Sequence, residues 1–271
     1  MVCGPQTASA SKSLSDTMQH LLIEHFLVGA LQMRCSVVTD LNTGDTLVID
    51  GGEEFHRISS WIDTFEGPGP DWMNIPMSKE QWISKNLPQR KVCALVNTHA
   101  HFDHTGHIPF FLKHYNVDWY LHQDDFFLQS LAKQSAERWG FEIPEPAIPT
   151  KSFVDGQVLD LGSLKFSVLH TPGHTLGGCC LMFENHDSPN HLFVGDTIFA
   201  GSVGRTDLPD SGGDFELLAS SIRNKLWSLD ESTIIHPGHG PLTTIGREMA
   251  TNPYVGKEAG EFGRYGFGKY A

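Results

Sequence analysis

Thr98-His99-Ala100-His101-Phe102-Asp103-His104-Thr105-Gly106-His107 follows directly on the apolar run Lys91-Val92-Cys93-Ala94-Leu95-Val96-Asn97. A continuous apolar run of this length is the pattern of a strand buried on both faces, so the histidines fall at the strand's carboxyl end. Four side chains able to bind a metal, His99, His101, Asp103 and His104, are packed into six residues. In extended backbone His99 and His101 project to one side and can grip one ion. A tight turn through Phe102-Asp103-His104 sends the next two toward a second ion. Imidazole and carboxylate donors suit zinc, iron or manganese, and the five cysteines form no CxxC pair that would offer a thiolate set.

Three further stretches repeat the setting. Thr171-Pro172-Gly173-His174-Thr175, Gly195-Asp196 and His236-Pro237-Gly238-His239-Gly240 each follow an apolar strand-like run, and each carries glycine where backbone must approach a crowded point. A polar loop that is merely rich in histidine does not account for this joint pattern. Seven donors from four strand ends match a two-metal site, with about three per ion and one bridging carboxylate.

Around these motifs, LLIEHFLV, MRCSVVTD and TLVID read as strands, with Asn42-Thr43-Gly44-Asp45 as a hairpin turn. Phe55, Ile58, Ile62 and Phe65 fall at helical spacing, and Ser78 with Gln81 forms a capping box opening a short helix. Helices are expected over 107–114, 123–139 and 214–229, and a second strand-rich half runs from 152 to 195. The result is an α/β chain with two sheets and helices outside. We divide it into a lead-in without fixed structure (1–13), one catalytic domain (14–252) and a Gly/aromatic tail (253–271).

Composition sets the outer limits. The chain has 271 residues, 39% of them hydrophobic, and a net charge of −13 from 19 basic and 32 acidic side chains. That is enough apolar material for a core. The acidic balance disfavours a nucleic-acid or anionic-membrane partner. With no apolar signal region and no disulfide framework, the expected setting is cytoplasmic, with an organelle left open.

The series THAHFDH, TPGHT, GD and PGHG resembles that of the metallo-β-lactamase-fold hydrolases, over roughly residues 20–255. The resemblance implies a four-layer αβ/βα sandwich with the metals at the edge between the sheets. It implies that His99, His101 and His174 hold one ion, that Asp103, His104 and His239 hold the other, and that Asp196 bridges them. Within the family, Gly195–Asp207 and the stretch from Gly238 to Pro253 look like short, single-domain glyoxalase II-like proteins. The implied activity is hydrolysis of a thioester of the S-acylglutathione type, with a metal-bridging hydroxide as nucleophile. Asp103 then has a catalytic role besides ligation, and Arg205 clamps a substrate carboxylate. The cofactors are two divalent ions, zinc first and iron or manganese next; the partner is a small-molecule thioester, and the oligomeric state is not legible.

Departures from the family pattern bear on the substrate. The chain has Asp103-His104-Thr105-Gly106-His107 in place of DHxGG, and only 32 residues follow His239, where two-domain glyoxalase II carries a glutathione-holding helical domain. A mononuclear iron persulfide dioxygenase shares the motif set, and a non-catalytic metal-binding protein is the rival of another class. Arg205 has a competing role in a salt bridge within the Asp207–Asp210 loop. His170 has two readings, support for the site or packing at a strand end. His107 and His236 are left outside the site, and His25, His122 and His191 are taken as ordinary core or surface histidines.

Overall fold

Alternating and continuous apolar runs dictate the strands, and the computed structural model describes residues 21–184 and 189–259. The proposed lead-in 1–13 lies outside the described residues, as does the tail beyond Ala259. The chain opens with β1 (Leu21–Val28), β2 (Met33–Asp40) and β3 (Asp45–Ile49), an antiparallel meander. Next come α1 (Phe55–Thr64), β4 (Trp72–Met73), α2 (Lys79–Ser84), β5 (Lys91–Val96), α3 (Phe102–Thr105), α4 (Ile108–Tyr115) and β6 (Asp118–Tyr120). After α5 (Phe126–Ser130) and α6 (Ala132–Arg138), a second meander runs through β7 (Val158–Leu161), β8 (Leu164–His170), β9 (Cys179–Phe183) and β10 (His191–Gly195). Then come β11 (Ile198–Phe199), β12 (Ser202–Val203), α7 (Phe215–Ser221), β13 (Ile234–Pro237), β14 (Thr243–Thr244) and α8 (Ile245–Thr251), and a 3₁₀ turn at Lys257–Ala259 ends the described chain.

Twelve of these strands make two six-stranded mixed sheets, in the orders β4-β1-β2-β3-β5-β6 and β14-β13-β10-β9-β8-β7, and β11 and β12 form a separate antiparallel pair. In each, a meander is extended by parallel strands: β3 pairs with β5 and β5 with β6 in the first, β10 with β13 in the second. Three apolar layers follow from that arrangement. Ile23, Val38, Leu47, Ala94 and Val96 meet Phe166, Val168, Leu181, Phe183 and Phe193 between the sheets. Val37, Val48 and Trp119 pack with Ile58 of α1 and Phe111 of α4 on one outer face. Leu192, Val194 and Ile235 pack with Leu218 of α7 and Ile245 of α8 on the other. The architecture is the four-layer α/β sandwich.

Local signals hold where they are self-contained. Ser78 Oγ accepts the Gln81 N–H at 3.2 Å while Gln81 Oε1 accepts the Ser78 N–H at 2.8 Å, the reciprocal capping box. Two long helices are corrected. The segment 123–139 divides into a 3₁₀ turn (Gln123–Asp125), α5 and α6, because Leu131 leaves helical geometry at φ −97°, ψ 0°. The segment 214–229 is α7 followed by a π-helical turn at Ile222–Leu226.

A polar seam also crosses the sandwich. Ser36 Oγ of β2 meets His25 Nδ1 of β1 at 2.9 Å, His25 Nε2 meets His236 Nδ1 of β13 at 2.8 Å, and His236 Nε2 meets His191 Nδ1 of β10 at 2.9 Å. Trp72 stacks on His25 and Phe193 on His236, with ring centroids 4.8 and 4.6 Å apart. His25, His191 and His236 are all buried, and burial holds their pKa values down, that of His191 at about 4. The seam is therefore neutral near pH 7.

Candidate metal centre

The loops leaving the carboxyl ends of β5, β8, β10 and β13 meet at one edge of the sandwich, and they carry all seven residues of the motif reading. His99, His101, His174 and Asp196 form one group of donors; Asp103, His104 and His239 form another. Within the first, His101 Nδ1 lies 3.0 Å from His99 Nε2 and 2.9 Å from His174 Nε2. Neighbouring nitrogens in a tetrahedral zinc shell stand about 3.3 Å apart. The three rings are steeply inclined to one another, at 75–89°, so that their in-plane lone pairs converge.

Partners on the far side of His99, His104, His174 and His239 fix which nitrogen of each faces inward. Thr98 Oγ1 donates its only proton to Asp50 Oδ2 at 2.8 Å, so it accepts the His99 Nδ1–H at 3.0 Å and leaves His99 Nε2 as a lone pair. His174 Nδ1–H donates to the Arg205 carbonyl at 2.6 Å, and His239 Nδ1–H to the Leu31 carbonyl at 3.1 Å. His104 Nδ1–H donates to Asp50 Oδ2 at 3.0 Å, and His101 Nε2 pairs with Ser211 Oγ at 2.8 Å. Every histidine of the two donor groups thus has its outer nitrogen engaged, the arrangement that orients metal ligands.

A cation fits what is left inside. His104 Nε2 and Asp196 Oδ1 are buried with no hydrogen-bond partner, 3.4 Å apart. Asp103 Oδ2 lies 3.2 Å from His239 Nε2, and Asp196 Oδ2 lies 3.6 Å from His174 Nε2 and 3.7 Å from His239 Nε2, so Asp196 faces both groups. Burial lowers the pKa values of His99, His101 and His174, that of His101 to about 3, and keeps them neutral. At Asp196 burial acts to raise the pKa but is outweighed by His239 and His104, so the carboxylate stays ionised; at Asp103 it is outweighed by His104 and His239. Neutral imidazole and ionised carboxylate are the ligand forms; at His104 and His239 burial is outweighed by the neighbouring carboxylates, which raise the pKa instead. Such a donor set is suited to a dinuclear site. Glycine is required where backbone passes close by: a Cβ on Gly238 would lie 2.4 Å from Asp196 Oδ1.

Residues outside the motifs complete the picture. Asp50 was not singled out from sequence, yet it also accepts the Thr98 N–H at 2.8 Å and Asn97 Nδ2–H at 3.1 Å, and so sets the β5 loop. Its signal was an Asp-Gly-Gly at the end of an apolar strand; Ser211 had none. Arg205 forks onto Asp207, with Nε–Oδ1 at 2.9 Å and Nη2–Oδ2 at 3.1 Å, the salt-bridge alternative of the sequence reading. His107 and His236 stand apart from the donor groups.

His122, Asp124 and His170 make a third cluster of donors, with a different geometry. The two rings stack at 4.0 Å and 13°, which sets their lone pairs side by side instead of aiming them at one point, and His170 Nε2–H donates to the Leu176 carbonyl. This is packing with a loop tether.

The comparisons with known proteins agree with the geometry. The model of the metallo-β-lactamase superfamily matches residues 28–239. The chain is 33% identical over 239 residues to hydroxyacylglutathione hydrolase GloC of Haemophilus influenzae, covering 88% of this chain and 99% of that one. Among solved structures, the BLEG-1 B3 metallo-β-lactamase superposes with a TM-score of 0.69 at 30% identity, over 86% of this chain and 99% of the other. TTHA1623 in a di-iron-bound form superposes with a TM-score of 0.66 at 33% identity, over 85% and 98%. With seven donors at the sheet edge and a match over most of its length, this chain belongs to the metallo-β-lactamase superfamily of metallo-hydrolases.

Proposed function

We propose that the chain hydrolyses thioesters of the S-acylglutathione type. The observation that carries this reading is the double donor group bridged by Asp196, in a chain related over nearly its whole length to a hydroxyacylglutathione hydrolase. Two divalent ions bound there supply Lewis acidity and a water whose pKa falls from 15.7 to about 7. His99, His101 and His174 hold the first ion, Asp103, His104 and His239 the second, and Asp196 joins them.

The protein's own groups do the rest. Asp103, held against His239, orients the attacking water and keeps a negative charge beside it. A thiolate leaves without prior protonation, so the reaction needs no separate acid for the leaving group. Arg205, at the rim, exchanges Asp207 for a substrate carboxylate.

Zinc is the proposed metal. Iron is the second reading, favoured by the di-iron-bound form of TTHA1623. Metal analysis of the isolated protein distinguishes them, and one iron per chain with persulfide oxidation would replace the hydrolase reading. The direct test is S-D-lactoylglutathione hydrolysis by metal-loaded protein. Turnover that disappears in Asp196→Ala is the expected result; no turnover at full metal load overturns the assignment.

A further inference from the structure

The two loops that build the first metal group come from different sheets. Residues 98–101 leave β5, residues 171–178 leave β8, and a single buried carboxylate spans the gap between them. Asp125 is 1% exposed and ends the 3₁₀ turn after β6. Its Oδ2 accepts the Ala100 N–H at 2.9 Å, from the residue between ligands His99 and His101. The same oxygen accepts the Thr175 Oγ1–H at 2.9 Å, from the residue after ligand His174. Its Oδ1 accepts the Gly177 N–H at 2.6 Å. Approach is so close that a Cβ on Gly177 would lie 2.7 Å from Asp125 Cγ. Asp125 touches no ligand side chain. What it fixes is the separation of two backbones, and with it the 2.9–3.0 Å spacing of His99, His101 and His174 nitrogens.

We infer that Asp125 is a positioning residue that sets the metal affinity of the His99–His101–His174 group by tying its two ligand loops together. This rests on the reading that those three histidines hold a metal, but not on the identity of the substrate. Removing the carboxylate takes away three hydrogen bonds between the β5 and β8 loops and leaves the Cys179 N–H bond to the Thr98 carbonyl at 2.8 Å as a remaining tie, so the ligands are held more loosely and must be gathered at the expense of the bound ion. The Asp103–His104–His239 group receives none of these three hydrogen bonds, so its affinity is not expected to follow.

The test is a zinc titration of metal-stripped full-length protein against a chromophoric chelator, for wild type, Asp125→Asn and Thr175→Val. A stability control is Glu24→Gln on β1, which breaks the buried Glu24–Arg90 pair. In the wild type two equivalents bind. In Asp125→Asn one equivalent weakens by about ten- to hundredfold, the range found for outer partners of metal ligands, while the other is unchanged. Thr175→Val, which removes one of the three hydrogen bonds, weakens the same equivalent by a smaller factor. Glu24→Gln lowers the melting temperature but leaves both equivalents unchanged. Two equivalents bound with wild-type affinity by Asp125→Asn overturn the inference; if that variant does not fold, wild-type affinity in Thr175→Val does so. A wild type that binds no zinc or iron brings down the underlying site reading as well, a separate and recognisable failure.

Discussion

Two groups of buried histidines sit between the same two sheets and do opposite things with their nitrogens. In the metal centre, His99, His101 and His174 turn their outer nitrogens to protein partners and aim the inner ones at a common point. In the seam, His25, His236 and His191 run in a line, and each ring uses its neighbour as the partner. Burial and residue type are alike; direction differs. The seam needs no cation, because the proton of one imidazole meets the lone pair of the next. The centre aims the Nε2 lone pairs of His99 and His174 at the same atom, His101 Nδ1, from 3.0 and 2.9 Å, and a single imidazole proton cannot serve both. Buried histidine therefore identifies a metal site only when the outer nitrogens are already engaged.

Four perturbations sharpen this contrast. The largest effect is expected from Asp196→Ala, which faces both donor groups: kcat for thioester hydrolysis falls by about 10³-fold, close to 4 kcal/mol. Denaturant unfolding of the metal-stripped variant should stay near that of metal-stripped wild type. His236→Ala should do the reverse. It strands His25 and His191 and opens a cavity, costing about 3–4 kcal/mol of stability, yet two metal equivalents remain bound. If His236→Ala loses metal, the division into centre and seam is wrong.

Acid comes next. The folded pKa of His191, about 4, lies below the unfolded value near 6.5, so protonation favours the unfolded chain. Stability is fully present above pH 6.5 and is lost as the pH falls toward 4, by roughly 3 kcal/mol from this residue at 1.36 kcal/mol per unit. Urea unfolding of metal-stripped Asp196→Ala between pH 7 and 5 checks this with the centre already disabled. Chelation is the smallest perturbation. Stripping metal present at 100 times its dissociation constant should cost about 2.7 kcal/mol, seen as a lower melting temperature restored by zinc. The seam should contribute nothing to that difference.

How much of this was legible from sequence follows the same division. Each ligand sits in a local motif, a histidine or aspartate just past an apolar strand with glycine beside it, and such motifs can be read one at a time. Ser78 and Gln81 were readable for the same reason, since the box closes within four residues. His25 and His236 lie on different sheets and 211 positions apart, so nothing near either announces the other. Asp50 and Ser211 were missed on similar grounds, because their meaning comes from loops that fold against them. The break at Leu131 was hidden because apolar spacing continues through a residue that leaves the helix.

The order of the ligands along the chain has a consequence for synthesis. His99, His101, Asp103 and His104 leave the ribosome early, His174 and Asp196 later, and His239 last. The seam obeys the same schedule, since His236 of β13 completes it. On the proposed grouping, His99, His101 and His174 are all available for one ion while β13 is still to come. The second donor group and the inter-sheet lock are both completed by one short stretch, Ile234 to His239, so on the proposed reading loading of the second ion and closure of the sandwich become late events of the same moment.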